Sequence, residues 1–136
     1  GLDLLYGYDT GYRLDKLPEL ADLVSQVSNI PIARNKPVLG HGNFIRESGI
    51  GIQYVMNDPL VMFGTHPALT GRAGQVVLGK KSGKASIQYK LGELNVGGVE
   101  DHQIGEILGA VKEKGISKKD ILSDAEFLEI VSSITS

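Results

Sequence analysis

Hydrophobic residues recur at helical spacing in the last third of the chain. The spacing i, i+3, i+4, i+7 lines one face of a helix, and residues 101–114 show it at Ile104, Ile107, Leu108 and Val111. Gly115 follows this segment, and glycine is a residue that commonly ends a helix. We therefore predict a helix over about 101–114 that stops at Gly115.

A second helix is predicted at the end of the chain. Ser123 precedes Glu126 by three positions, the arrangement of a capping box in which each side chain bonds the backbone N–H of the other residue. The apolar residues that follow occupy one helical face: Phe127, Ile130, Val131 and Ile134. Between the two helices, Ser117 is expected to cap a single separate turn. The tail is thus predicted to form a small helical cluster.

Two further helices are predicted earlier in the chain. The first begins near Asp15, with Pro18 in the first turn, where proline is tolerated. Its apolar face consists of Leu17, Leu20, Leu23, Val24 and Val27. The second follows Ser82, a candidate N-cap. Its apolar face consists of Ile87, Leu91 and Leu94, and the strand-like run GQVVLG precedes it.

The connection over residues 30–44 is expected to be irregular, because it holds two prolines and two glycines. No internal repeat is visible. Four helices and one strand-like run together predict a mainly α fold with a small β element, in the α+β class.

The composition is that of an ordinary folded domain. The chain has 136 residues, of which 41% are apolar and 22% charged, and this length favours one domain with a modest core. A net charge of −2 and the lack of cysteine argue against nucleic-acid binding, disulfides and thiolate metal sites. No run is apolar enough for a membrane span. The lack of cysteine fits a chain that needs no disulfide, so we expect a cytoplasmic protein. Because the chain begins with Gly1 rather than Met, we expect a piece of a longer or processed chain.

The histidines show no metal-binding pattern. His41, His66 and His102 are far apart in sequence, so no metal site is predicted within the chain. The run GKKSGKAS is similar to a phosphate-binding loop at first sight. However, three residues separate its first glycine from the Gly-Lys pair, where that motif requires four. The spacing excludes the motif.

A local excess of positive charge remains. All charged residues between Asp58 and Glu93 are basic. They are Arg72, Lys80, Lys81, Lys84 and Lys90. A phosphate-bearing ligand could use this charge at the predicted helix start, where backbone N–H groups and the helix dipole add donors and positive charge. The spacing alone favours the other interpretation, a solvated basic turn without a ligand.

Residues 43–71 are interpreted as a site framework, although they hold no evident nucleophile–base pair. Ser48 and Gly49 are expected in a tight turn beside Arg46 and Glu47. Arg46 can clamp a carboxylate or phosphate with two hydrogen bonds, and Glu47 can act as a general base. The alternative is a surface ion pair beside a turn.

Four motifs follow one another along residues 10–94. They consist of Thr10, Gly11, Leu14, Leu17 and Leu20; then Asn35 to Pro37; then Phe44, Ser48, Gly49 and Ile50; and finally Leu78 to Lys80, Ser82 and Gly83. In this order and spacing they resemble the C-terminal region of the 2-isopropylmalate, homocitrate and citramalate synthase family.

The resemblance implies a two-part enzyme. In that family an N-terminal TIM barrel binds a divalent metal and a 2-oxo acid, and helical subdomains cover the barrel of the same subunit or of a homodimer partner. The implied reaction condenses an acyl-CoA with the 2-oxo acid, and CoA is then released. The barrel is not part of this chain, so the chain alone is expected to be inactive.

Under this resemblance, residues 1–38 are expected to form a helical linker after the barrel. Residues 39–136 are expected to form a small α+β subdomain with C-terminal helices. The alternative is a non-catalytic regulatory or docking module for a separate barrel subunit. Neither interpretation predicts contact with nucleic acid or a membrane.

The chain departs from the family at three positions linked to the site. Gly51 and Arg46 stand where the family has histidines, and Met62 where it has a tyrosine. Three interpretations remain open: Arg46 and Glu47 contact a different substrate, the activity has been lost, or the alignment register is shifted. We favour the first, in which Gly51 opens space for a bulkier substrate.

The candidate site residues follow from this interpretation. The catalytic candidates are Arg46 and Glu47. The candidates for binding substrate or CoA are Asn43, Ser48, Gly51, Arg72, Lys80, Lys81 and Lys84.

Overall fold

The computed structural model describes residues 1–135 as a mainly helical α+β fold. Its helices are α1 (Leu2–Tyr6), α2 (Leu17–Ser28), α3 (Ile52–Asn57), α4 (Lys84–Glu93), α5 (Asp101–Lys118) and α6 (Asp124–Thr135), with single turns of 3-10 helix at Leu14–Lys16, Pro59–Val61 and Pro67–Thr70. Two short strands, β1 (Ile45–Arg46) and β2 (Gln75–Val76), pair in parallel, with Ile45 opposite Gln75. The predicted fold class is confirmed, whereas α1, β1 and α3 were not predicted.

The core lies among the last three helices. α5 packs against both α4 and α6, and all three helices contribute side chains that are fully shielded from solvent: Ile87, Ile107, Val111 and Phe127. An antiparallel bridge between Leu78 and Leu122 joins the segment after β2 to the short connection between α5 and α6. The helical spacing in the sequence therefore does mark buried faces, because burial of apolar side chains is the main term that holds such helices together.

The start of α6 is capped as predicted. The Glu126 carboxylate accepts a hydrogen bond from the Ser123 N–H at 2.7 Å, and the Ser123 hydroxyl oxygen accepts one from the Glu126 N–H at 3.2 Å. Lys118, at the end of α5, donates to the same carboxylate at 2.8 Å. Lys118 and the Ser123 N–H lower the pKa of Glu126 to about 2. The charged carboxylate therefore ties α5 to α6.

The predicted end of α5 is wrong, because a tertiary contact decides it. The helix continues to Lys118, and Ser117 lies inside it rather than capping a separate turn. Gly115 is buried against the loop after β2, where a Cβ would lie 3.0 Å from the Lys80 backbone nitrogen. The glycine thus permits a close approach, and α5 ends instead at Lys119, which has a left-handed backbone (φ 58°).

The predicted cap of α4 is also wrong, because Gly83 rather than Ser82 occupies that position. The Ser82 hydroxyl accepts a hydrogen bond from the Gly79 N–H at 3.0 Å. The Ser86 hydroxyl accepts one from the Gly83 N–H at 3.2 Å. Both serines are buried, and their hydroxyls satisfy backbone groups that are shielded from water.

The first predicted helix is confirmed as α2, with Pro18 in its first turn. Its apolar face points to solvent, and the exposed side chains include Leu20, Leu23, Val24 and Val27. The connection over residues 30–44 consists of turns and irregular backbone, as predicted. An exposed apolar face of this kind is typical of an interaction surface.

Candidate functional site

The segment between β1 and α3 bends at Ser48 and Gly49, as expected. β1 ends at Arg46, and α3 begins after Gly51, whose backbone is left-handed (φ 74°). The Arg46 guanidinium donates a hydrogen bond from Nη2 to the Ile50 carbonyl at 2.8 Å. Arg46 therefore closes the bend that it precedes.

The Nε atom of Arg46 is buried and has no hydrogen-bond partner within residues 1–135. An unsatisfied buried donor costs free energy, about 1–3 kcal/mol. An acceptor from outside these residues would remove that cost, which makes Arg46 a candidate ligand contact.

Glu47 does not reach Arg46 but holds the loop after β2. Its Oε1 accepts a hydrogen bond from the Lys81 N–H at 3.0 Å. The carboxylate packs on Gly79, where a Cβ would lie 2.6 Å from Oε1. Glycine at this position therefore leaves the room that Glu47 needs, and the carboxylate connects two parts of the chain that are distant in sequence.

A small cleft lies between the bend and the start of α4. The backbone of Gly49 contacts that of Gly83, since a Cβ at Gly49 would lie 2.7 Å from the Gly83 Cα. The cleft has a volume of about 340 Å³, and its lining includes Ser48, Lys81 and Lys84. Three of the predicted ligand-binding residues thus share one cleft, at the positive end of a helix.

Gly51 and Met62 are neighbours in the fold. A Cβ at Gly51 would lie 3.7 Å from the Met62 Cε, an ordinary van der Waals contact. The two positions at which the sequence is expected to depart from the family are therefore adjacent in space. Ile50 and Tyr54 beside them are largely exposed, so the surface here is mostly apolar.

Two predicted ligand-binding residues are engaged within the fold. Arg72 donates from Nη1 to the Gly40 carbonyl at 2.9 Å and from Nη2 to the Leu39 carbonyl at 2.8 Å. Asn43 donates from Nδ2 to the Lys36 carbonyl at 2.6 Å. Both side chains therefore order the connection before β1, and they lie outside the cleft at the start of α4.

Lys80 lies in a different cavity from Lys81 and Lys84, together with Glu47. The same cavity is also lined by Arg34 and Lys119, two residues that sequence reasoning missed. Because Arg34 and Lys119 are far apart along the chain, no local sequence pattern predicts that they share a cavity. The left-handed backbone of Lys119 could not be predicted either, since that conformation is usual for glycine or asparagine and not for lysine.

Within residues 1–135, no group of three or more His, Asp or Glu side chains is placed to hold a metal ion. The residues that the structure describes therefore do not fit a metal centre. In the same range, no helix is both long and apolar enough to cross a membrane.

Comparison with known proteins gives relatives over nearly the whole chain. No family model matches. The (R)-citramalate synthase of Methanocaldococcus jannaschii is 35% identical over 134 residues, which cover 98% of this chain and 27% of that protein. The homocitrate synthase of the same organism is 35% identical over 133 residues, or 98% of this chain and 32% of that protein. The homocitrate synthase of Methanopyrus kandleri is 34% identical over 130 residues, covering 96% and 32% respectively.

The fold and the framework of residues 43–51 and 78–84 define a small α+β unit. The chain belongs to the citramalate and homocitrate synthase family. It spans about a quarter to a third of the length of the curated relatives it matches.

Proposed function

We propose that this chain is the substrate-covering C-terminal part of an acyltransferase that condenses an acyl-CoA with a 2-oxo acid. The observation that carries the proposal is the alignment of 98% of the chain with synthases named for such products. The pathway class is amino-acid biosynthesis, and the location is the cytoplasm. The chain by itself is inactive in this proposal.

The cleft at the start of α4 binds the CoA portion of the substrate. Ser48 offers a hydroxyl, and Lys81 and Lys84 offer two cations that form no ion pair within residues 1–135. Phosphate groups bind well where lysines and helix N–H groups converge. Arg72 and Asn43, which order the connection before β1, and Lys80, which lines a separate cavity, lie outside this cleft.

Arg46 and Glu47 act on the reacting groups in this proposal. Arg46 has a buried Nε without a partner within the described residues, and a carboxylate or enolate oxygen would accept from it. Glu47 is held by the Lys81 N–H and serves as the base. Gly51 and Met62, which replace two polar family residues, leave apolar space for a bulkier substrate.

A TIM barrel of the same subunit or of a homodimer partner completes the site. A divalent metal would be held by the barrel and not by residues of this chain, and it would supply Lewis-acid polarisation of the keto group. The residues of this chain cover the barrel, exclude water and orient the acyl-CoA.

The experiment is a CoA-release assay on the natural full-length protein with a panel of acyl-CoA and 2-oxo acid pairs. We expect activity with at least one pair and none with residues 1–136 alone.

Lys84→Gln should raise the KM for acyl-CoA about tenfold, because one charged phosphate contact is worth about 1.4 kcal/mol. Lys112→Gln, which removes a lysine from the middle of α5, is the matched control and should leave KM unchanged. Equal effects of the two variants, or no activity with any pair, would contradict the proposal.

The second candidate is a regulatory or docking module for a separate barrel subunit. The exposed apolar face of α2 favours it, since Leu23 is 56% and Val27 81% exposed. The intact mass of the native protein, detected with an antibody to this region, separates the two candidates. A mass well above 14.6 kDa supports the first, and a mass near that value supports the second.

A further inference from the structure

A cavity between the end of α5 and the loop after β2 carries an unassigned group of charged residues. Its volume is about 550 Å³. It is lined by Arg34, Glu47, Lys80, Gly115, Ile116, Lys119, Asp120 and Ile121. This volume suits a small organic molecule.

Three basic side chains from three separate segments line this cavity. Arg34 comes from the irregular connection, Lys80 from the loop after β2, and Lys119 from the end of α5. Within residues 1–135 none of the three forms an ion pair or a side-chain hydrogen bond. Their charges are therefore free to meet a ligand.

The two acidic residues of the lining are already engaged. Glu47 accepts a hydrogen bond from the Lys81 N–H at 3.0 Å, and Asp120 accepts one from the Ile121 N–H at 2.8 Å. Each carboxylate is thus partly satisfied by backbone donors. The basic side chains also outnumber the acidic ones, so the cavity has a net positive charge.

The positions of the basic residues are set by close packing of the backbone. The Arg34 carbonyl accepts a hydrogen bond from the Gly42 N–H at 2.9 Å, and a Cβ at Gly42 would lie 2.9 Å from the Arg34 Cγ. Gly115 brings α5 against Lys80, and Lys119 takes the left-handed conformation that ends the helix. The three basic residues are themselves exposed, so this packing fixes where each side chain begins and leaves its conformation free.

We propose that this cavity binds a small organic dianion, either a phosphate ester or a dicarboxylate. Arg34 can hold one anionic group with two parallel hydrogen bonds, and Lys80 adds a point charge. Lys119 offsets the partial negative charge of the carbonyl groups at the end of α5. The carbon skeleton of the ligand packs on Ile116 and Ile121, of which Ile116 is 61% exposed.

The test is isothermal titration calorimetry of the purified chain with two probes, glycerol 3-phosphate and glutarate, at low ionic strength. We expect one of the two to bind, which identifies the anion type, and the affinity should fall as salt is added. Arg34→Gln should weaken binding about tenfold, because a bidentate charge-assisted contact is lost. Lys119→Gln should weaken it about threefold, because its contribution is indirect.

Neither Arg34 nor Lys119 belongs to the proposed acyl-CoA site, so the two proposals can fail separately. Lys112→Gln, a lysine of α5 outside the lining, is the control for charge. Circular dichroism and the thermal midpoint establish that each variant is folded. The absence of binding by both probes would overturn the proposal, as would an equal loss of affinity in Arg34→Gln and Lys112→Gln.

Discussion

The Glu47 carboxylate accepts a hydrogen bond from the backbone N–H of Lys81 at 3.0 Å. This contact joins the bend after β1 to the loop after β2, together with the pairing of β1 with β2 and the close approach of Gly49 to Gly83. The two clefts described above lie beside that loop, so the Glu47 carboxylate helps to position both candidate ligand sites. Glu47→Gln removes the charge of this side chain and keeps an oxygen acceptor, whereas Glu47→Ala removes both.

Glu47→Ala should lower the free energy of unfolding by about 0.5–1.5 kcal/mol, because the Lys81 N–H loses its acceptor. Glu47→Gln keeps an oxygen acceptor and should cost less. Urea unfolding of the chain measures both, and Glu106→Gln on the exposed side of α5 is the control. Equal stability of Glu47→Ala and the unsubstituted chain would show that the contact does not hold the loop.

In the full-length protein, Glu47→Gln should also separate structure from chemistry. If Glu47 is the base, the substituted enzyme folds normally but its kcat falls at least about a hundredfold. A normal kcat with normal stability would remove Glu47 from the chemistry.

Gly115→Ala should destabilise the chain by about 1–2 kcal/mol, because the added methyl group meets the backbone of the loop at Lys80. Gly109→Ala is the matched control within the same helix, since a Cβ there has no heavy atom within 4 Å. It should stabilise the chain by up to about 1 kcal/mol, as alanine favours a helix over glycine. Thermal and urea unfolding measure the stability of both variants. A stabilising Gly115→Ala would mean that the close approach is absent in solution.

Stability should fall in acid through Glu126. Its pKa is lowered on folding from 4.5 to about 2, so its contribution is fully present above the unfolded value and is lost as pH falls through the folded value. The urea midpoint should therefore decline between about pH 5 and pH 2, and Glu126→Gln should flatten part of that decline. Glu113→Gln, an exposed residue of α5, should leave the pH profile unchanged. Identical profiles for the two variants would contradict the assignment.

Arg46→Ala in the full-length protein should lower kcat/KM at least about tenfold, which corresponds to about 1.4 kcal/mol of lost interaction. Arg13→Ala, which removes an exposed arginine from the N-terminal segment, is the control. Circular dichroism distinguishes a lost contact from a disordered bend, because Arg46 also holds the Ile50 carbonyl. An unchanged kcat/KM would remove Arg46 from the site.

The sequence by itself determined the features that depend on neighbours a few residues apart. The helical faces at Ile107 and Phe127, the Ser123–Glu126 capping box and Pro18 in the first turn of α2 all follow from short-range spacing. The family motifs were also visible as ordered local patterns. Such features are set by backbone geometry that any chain obeys.

Only the tertiary structure decided where the helices end and which cavity each charged residue enters. Gly115 is typical of a helix end, yet it lies inside α5 because the loop at Lys80 packs on it. Lys80 and Lys81 are adjacent in sequence but line different cavities, and Lys80 shares its cavity with Arg34 and Lys119. These relationships join residues that are far apart along the chain, so they arise from packing of the whole core rather than from any local pattern.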